Sequence, residues 1–244
     1  MTEGHAQPHC RAHRYAAYFA PAIDSAWWEA GSQWLGRCAA GSLTKAQPVF
    51  DGLPAEVQRK VTAAPRRYGW HATLTAPFTP WPHIGEAALR DGLQTLCRAW
   101  EPFTMPALEV ALLDDFLALV PVQPSPALNA VAGACVTGLH AFAEPLPPSE
   151  LERRRAAGLT PEEDALLLRW GYPFVLERFR FHMSLTGSLR DVDPAMVEVL
   201  RTAAQQHFGA LLASPPMRFE AIGLFAESEP GADFVCLAQM ELGR

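Results

Sequence analysis

The chain has 244 residues, 49% of them hydrophobic, and a net charge of −6. That is enough apolar sequence for a well-buried core, and the acidic balance argues against a protein that grips long nucleic acid by neutralising its phosphates. The five cysteines are scattered without a C-x-x-C pair, which fits reduced thiols, and no run approaches the ~18 apolar residues of a membrane span, so the expectation is a soluble, cytoplasmic protein.

Residues 1–13, MTEGHAQPHCRAH, contain no apolar run; the reading is a flexible tail without a signal peptide. His5, His9, Cys10 and His13 have metal-like spacing but no scaffold, and no metal is assigned to them. Arg14 to Pro21 reads as an aromatic strand. Asp24 or Ser25 caps a helix that reaches about Gly36. Residues 37–53 read as irregular, and Pro54 opens a short helix to about Ala63. A strand from about Tyr68 to Phe78 carries His71-Ala72-Thr73-Leu74. A helix follows over Ile84 to Trp100. Strands Leu108 to Leu113 and Phe116 to Val122 are joined at Asp114-Asp115, a hairpin signal. Pro126 to Phe142 reads as a helix.

Residues 148–170 are charged and read as an insertion of two helices. Ser149 starts the first, and Thr160 starts the second with a capping box to Glu163. A strand over about 179–187 carries His182-Met183-Ser184-Leu185. A helix over Pro194 to Phe208 and strands Arg218 to Ala226 and Phe234 to Met240 close the chain.

The two histidines lie 111 residues apart, and at that offset Leu74 meets Leu185, Thr75 meets Thr186, Arg90 meets Arg201 and Glu109 meets Glu220. The order after each histidine is also shared: strand, helix, strand, strand. Shared offset and shared order imply two related lobes.

Successive strand side chains point to opposite faces. That alternation places Arg67, Gly69, His71, Thr73 and Thr75 on one face, and Arg178, Arg180, His182, Ser184 and Thr186 on one face of the second copy. One H-x-T-L alone is most often a half-buried strand. Two in matched context supply two imidazoles and two hydroxyls, which suits phosphodiester cleavage. One neutral histidine takes a proton from the attacking water and one protonated histidine gives a proton to the leaving oxygen. Hydroxyls and a neighbouring arginine stabilise the phosphoryl oxygens. No metal or other cofactor is needed.

The paired tetrads resemble the signature of the two-histidine (2H) phosphoesterase superfamily. RYAAYFAP, the tryptophan-rich helix ending WLGR, PRRYGWHATLTAPF and RWGYPFVLERFRFHMSLTG resemble more closely the 2H-like proteins associated with phosphonate metabolism and carbon–phosphorus lyase operons. The resemblance runs from about Arg14 to the C-terminus. It implies a bilobal α+β fold in residues 14–244. Two pseudo-twofold-related lobes, each with an antiparallel sheet and outer helices, would enclose a central cleft. It implies catalytic His71 and His182 and phosphate-binding Thr73 and Ser184; Arg180 is added as a phosphate ligand because alternation sets it beside His182. Tyr15, Arg67 and Tyr68 are candidate substrate contacts. Arg153-Arg154-Arg155 reads first as a solvated helix face, and otherwise as a lid over the cleft.

The implied activity is a cyclic phosphodiesterase acting on a small sugar or nucleotide phosphate, so the expected partner is a small phosphorylated substrate rather than a membrane or long nucleic acid. Two other functions fit the same residues: an RNA end-processing 2′,3′-cyclic phosphodiesterase or ligase, and a phosphate-ligand binding module without turnover.

Overall fold

The computed structural model describes residues 11–41, 43–156 and 158–244. His5, His9 and Cys10 lie outside the described residues.

The first strand, β1 (Arg14–Phe19), leads into helix α1 (Ala26–Leu35). The Ser25 hydroxyl accepts from Trp28 N at 3.1 Å, and Gly36 closes the helix at φ 78°, the left-handed geometry that glycine adopts without penalty. A small hairpin of β2 (Arg37–Cys38) and β3 (Leu43–Thr44) precedes α2 (Ala55–Tyr68). The first motif strand is only β4 (Ala72–Thr73). Then come α3 (Glu86–Arg98), β5 (Phe103–Thr104), β6 (Leu108–Leu113), β7 (Phe116–Pro121) and α4 (Pro126–Leu139). The insertion holds α5 (Pro148–Arg155) and α6 (Pro161–Trp170). The second motif strand is β8 (Met183–Ser184), followed by α7 (Pro194–Leu212), β9 (Arg218–Phe219), β10 (Ala221–Glu227) and β11 (Phe234–Glu241).

Seven strands form one antiparallel sheet in the order β11-β10-β1-β4-β8-β7-β6. The sheets of the two lobes are therefore continuous, joined where Ala72 pairs with Met183. The join is symmetric. Leu74 N and Thr75 N donate to Ala17 O, and Leu185 N and Thr186 N donate to Leu117 O. Thr75 Oγ1 accepts from Ala17 N at 2.8 Å and Thr186 Oγ1 from Leu117 N at 3.0 Å. Thr75 and Thr186 thus satisfy neighbouring backbone in the core, and they shorten the motif strands by capping the ladder.

One face of the sheet carries the main core. Tyr15, Ala17 and Phe19 of β1, with Ala72, Leu74, Met183 and Leu185, pack among Leu89, Leu93, Leu128, Val131, Leu200 and Phe208 from the helices. The other face of β1, through Ala16, Tyr18 and Ala20, joins a smaller cluster with Trp28, Phe225 and Phe234. That face stays open toward the motif side chains. None of the described helices is long and apolar enough to cross a membrane.

Several boundaries differ from the sequence reading: residues 37–53, read as irregular, contain the β2–β3 hairpin, and α7 runs past Phe208 to Leu212. The helix expected to stop near Ala63 runs through Pro65 to Tyr68. Proline removes one helical donor, which leaves Val61 O free, and Val61 O accepts instead from Gly187 N at 2.7 Å. The strand expected from Tyr68 therefore begins only after Gly69, whose φ of 79° ends the helix. Both motif strands are two residues long, because the threonines that follow turn into the sheet.

Candidate active site

Ala72 and Met183 point into the main core, so the residues on either side of them share the opposite face. Antiparallel pairing with that register sets His71 across from Ser184 and His182 across from Thr73. Each histidine is thus opposite the hydroxyl residue of the other motif, and the two histidines stand on a diagonal, with Cβ atoms somewhat less than roughly 7–8 Å apart. A phosphoryl group fits between groups so placed.

Both rings are held in the same way. His71 Nδ1 donates to Gly69 O at 2.9 Å, and His182 Nδ1 donates to Arg180 O at 2.8 Å. A carbonyl can only accept, so Nδ1 carries the proton in each neutral ring and Nε2 is left for chemistry. His71 Nε2 lies 3.2 Å from Thr73 Oγ1. Gly69 is required at its own position: a Cβ there would lie 2.5 Å from Ala39 Cβ, on a backbone at φ 79°.

The two histidines are not equivalent. The Tyr18 ring stacks on His71 at 3.9 Å. The matching place beside the second motif is Ala118, which pairs with Ser184, while Phe116 flanks His182 at 5.5 Å. Burial lowers the His71 pKa to about 4; the Gly69 carbonyl opposes this, and the charge of His182 adds to it. Burial also lowers His182 below its ordinary value, with the Arg180 carbonyl opposing.

The motif strands border a cleft of about 570 Å³. His71, Thr73 and Ser184 line its floor, and His182 stands beside the wall residue Phe116. Arg14, Tyr18 and Tyr68 form one wall, and the other comes from Arg153 and Arg154 of the insertion with Tyr172 of the loop that follows it. Behind the first wall, Glu227 is fully buried and pairs with both Arg14 and Arg67. Desolvation pushes its pKa upward, but the Arg14 guanidinium outweighs this and holds the carboxyl below its ordinary range.

The structure brings His71, Thr73, His182 and Ser184 together and sets Tyr68 in the cleft wall. It places three other candidates elsewhere. Tyr15, expected as a substrate contact, is fully buried in the main core, because alternation along β1 turns Tyr18 to the cleft instead. Arg67 belongs to the last turn of α2, not to the motif strand, and is spent on Glu227 and on Ala232 O at 3.1 Å. Arg180, expected on phosphate, precedes β8 and is 61% exposed; its guanidinium pairs with Asp114 at 2.9 Å. Arg14, Tyr18 and Tyr172 were not named as site residues from sequence, and Arg153 and Arg154 entered only under the second reading of their helix, a lid over the cleft. Arg14 and Tyr18 share one strand face with Ala16, a pattern visible in RYAAYF, but nothing local says which face meets the cleft. Among the described residues no three His, Cys, Asp or Glu side chains gather to hold a metal ion; the cleft presents imidazoles, hydroxyls and guanidiniums, a set suited to an anion.

A continuous antiparallel sheet with two H-x-[ST] strands paired at its centre, under one cleft, defines the class: an α+β protein with a two-histidine site. The chain belongs to the family described as "Protein of unknown function (DUF1045)", whose profile matches residues 73–235. It is 41% identical over 222 residues to a protein of Janthinobacterium sp. (strain Marseille) named ribose 1,5-bisphosphate phosphokinase PhnN, covering 91% of this chain and 49% of that one. A protein of the same name from Laribacter hongkongensis (strain HLHK9) is 39% identical over 221 residues, covering 91% of this chain and 50% of that one. The chain thus spans about half the length of the curated relatives it matches. Among solved structures, Escherichia coli LigT complexed with 3′-AMP aligns with a TM-score of 0.45 at 15% identity, covering 96% of this chain and 100% of that one. A structure described as a phosphoesterase aligns with a TM-score of 0.39 at 12% identity, covering 95% and 99%.

Proposed function

We propose that the chain is a metal-independent cyclic phosphodiesterase that opens the cyclic phosphate of a small sugar, in phosphonate metabolism, with His71 as base and His182 as acid. The observation that carries this reading is the cross-strand square in which each imidazole stands across from the hydroxyl residue of the opposite motif and is anchored through Nδ1, with His71 Nε2 turned to Thr73 Oγ1 at 3.2 Å. His71 Nε2 takes a proton from water as the water oxygen bonds to phosphorus. The ring P–O bond breaks, and His182 Nε2–H gives its proton to the departing sugar oxygen. The product is an acyclic phosphomonoester and a free hydroxyl. Thr73 and Ser184 donate to the non-bridging oxygens as charge builds on them. The roles follow from the asymmetry: the more deeply desolvated His71 is neutral at working pH, and His182 is the more readily protonated.

The relatives' name supports a sugar substrate. Opening a ribose 1,2-cyclic phosphate at the 2-oxygen leaves a ribose 1-phosphate, the arrangement present in the ribose 1,5-bisphosphate of that name. The kinase activity in the name is not carried over: this chain contains no G-x-x-x-x-G-K-[ST] phosphate loop.

The test is phosphorus NMR of the EDTA-treated protein with ribose 1,2-cyclic phosphate 5-phosphate, nucleoside 2′,3′-cyclic phosphates and a 2′,5′-linked dinucleotide. Ring opening of the sugar phosphate is expected. Binding shifts without turnover of any compound would replace the enzyme reading with a binding module.

The pH dependence is also set. The base must be neutral, so kcat/KM rises with pH through a value of about 4, the pKa of His71. The acid must be protonated, so kcat/KM falls as pH rises through the His182 pKa, which lies below the ordinary 6.5. The expected profile is a bell with its maximum on the acid side of neutrality. A maximum above pH 7 would contradict this assignment of roles.

A further inference from the structure

We infer that the cleft holds a second anion subsite, built by Arg153 of the insertion with Arg14 of β1, which takes a phosphomonoester on the same substrate whose cyclic diester meets the two histidines. This rests on the reading of the site given above and adds to it the substrate's second charged group.

Charge is the first ground. The groups of fixed charge on the cleft wall are Arg14, Arg153 and Arg154. Glu227 holds Arg14 and Arg67, and Glu150 holds Arg153 and Arg154, while Asp115, bonded to the lining Ser188, is matched by Arg190. Four guanidiniums against two carboxylates leave a surplus of positive charge at the cleft, in a chain whose net charge is −6. Concave walls focus such a field on a bound anion. The reacting diester carries a single negative charge, which the protonated imidazole and the two hydroxyls already meet. A phosphomonoester carries about −1.5 to −2 at neutral pH, which matches the surplus.

Division of labour among the arginines is the second ground. Arg154 is 15% exposed and committed. It pairs with Glu150, donates to Gly171 O and lies over the Tyr172 ring at 5.7 Å, fastening the insertion to the loop that walls the cleft. Arg153 is 71% exposed, and its ion-pair partner is Glu150 one turn away on the same helix. The pair is bidentate but solvent-exposed, and Glu150 keeps Arg154 when Arg153 leaves it, so Arg153 can exchange the carboxylate for a bidentate bond to a more highly charged phosphate. The insertion reaches the cleft, since Arg153 lines it together with Arg14 and Tyr68. Volume is the third ground: about 570 Å³ exceeds what a five-membered cyclic phosphate alone would fill, and it suits a doubly phosphorylated sugar.

The test uses a matched pair, ribose 1,2-cyclic phosphate with and without the 5-phosphate, on the wild type and on Arg153→Ala and Arg153→Glu. The wild type is expected to prefer the 5-phosphorylated compound. Arg153→Ala should lower kcat/KM for that compound by about 10–100-fold, Arg153→Glu by more, and both should shrink the preference. Equal losses on the two compounds, or no loss on either, would overturn the subsite. Calorimetric binding of ribose 1,5-bisphosphate and ribose 1-phosphate separates this from the catalytic reading. If the wild type turns over neither cyclic compound, yet binds the bisphosphate more tightly in an Arg153-dependent way, the subsite stands and the reaction is wrong. If it turns over both compounds with no preference, the reaction stands and the subsite is wrong.

Discussion

Replacing either His71 or His182 with alanine is expected to lower kcat for the cyclic phosphate by about 10²–10⁴-fold, the usual contribution of one positioned acid or base. KM should change less, because the imidazoles act on protons that move only in the transition state. The double variant should lose little more than the worse single variant, since the two groups serve one concerted transfer. The folds should differ in sensitivity. His182 stands at the cleft edge beside Phe116, whereas His71 is stacked under Tyr18, so removing His71 leaves a small void and a lower Tm. Time courses by phosphorus NMR, with circular dichroism of each variant, check both effects. A folded His182→Ala protein that retained near wild-type turnover would eliminate the paired mechanism.

Glu227→Ala is expected to destabilise the fold by about 3–5 kcal/mol, the cost of breaking a buried ion pair from one side. The carboxylate is fully buried and joins Arg14 at the start of β1, Arg67 at the end of α2 and Gly231 N at 3.0 Å. Its removal leaves two guanidiniums facing each other. Urea denaturation of the variant measures the loss, and a midpoint within error of wild type would show that the cluster is not structural. The same group implies acid sensitivity. Its folded pKa is depressed, so its stabilisation is complete above the ordinary value of 4.5 and is lost as pH falls through the folded pKa.

Much of the element order was legible because it rests on short-range chemistry. Ser25 and Gly36 bound α1, Thr160 with Glu163 forms the capping box of α6, and Asp114-Asp115 joins β6 to β7, with Asp114 at φ 51°. Each is settled by contacts within a few residues. The errors fell where a distant partner took over. Pro65 signals a helix end, yet Gly187 uses the carbonyl it frees, and α2 continues.

The pairing of the two H-x-[ST] motifs was visible in the chain because the strand period places each imidazole beside its hydroxyl, and the 111-residue repeat supplies the second copy. Which side chains surround them was not visible. Tyr18 rather than Tyr15 faces the cleft because the core lies on the other side of β1, a choice made by the helices that pack there. Arg67 is withdrawn and Arg14 brought forward by Glu227, which is 213 residues from Arg14 and 160 from Arg67. Arginine rotamers are set by the nearest carboxylate in space. The difference between the histidines likewise comes from a neighbouring strand, with Tyr18 beside one and Ala118 beside the other. Periodicity and capping act along the chain and can be read there; burial and charge pairing act across it and exist only once the sheet has closed.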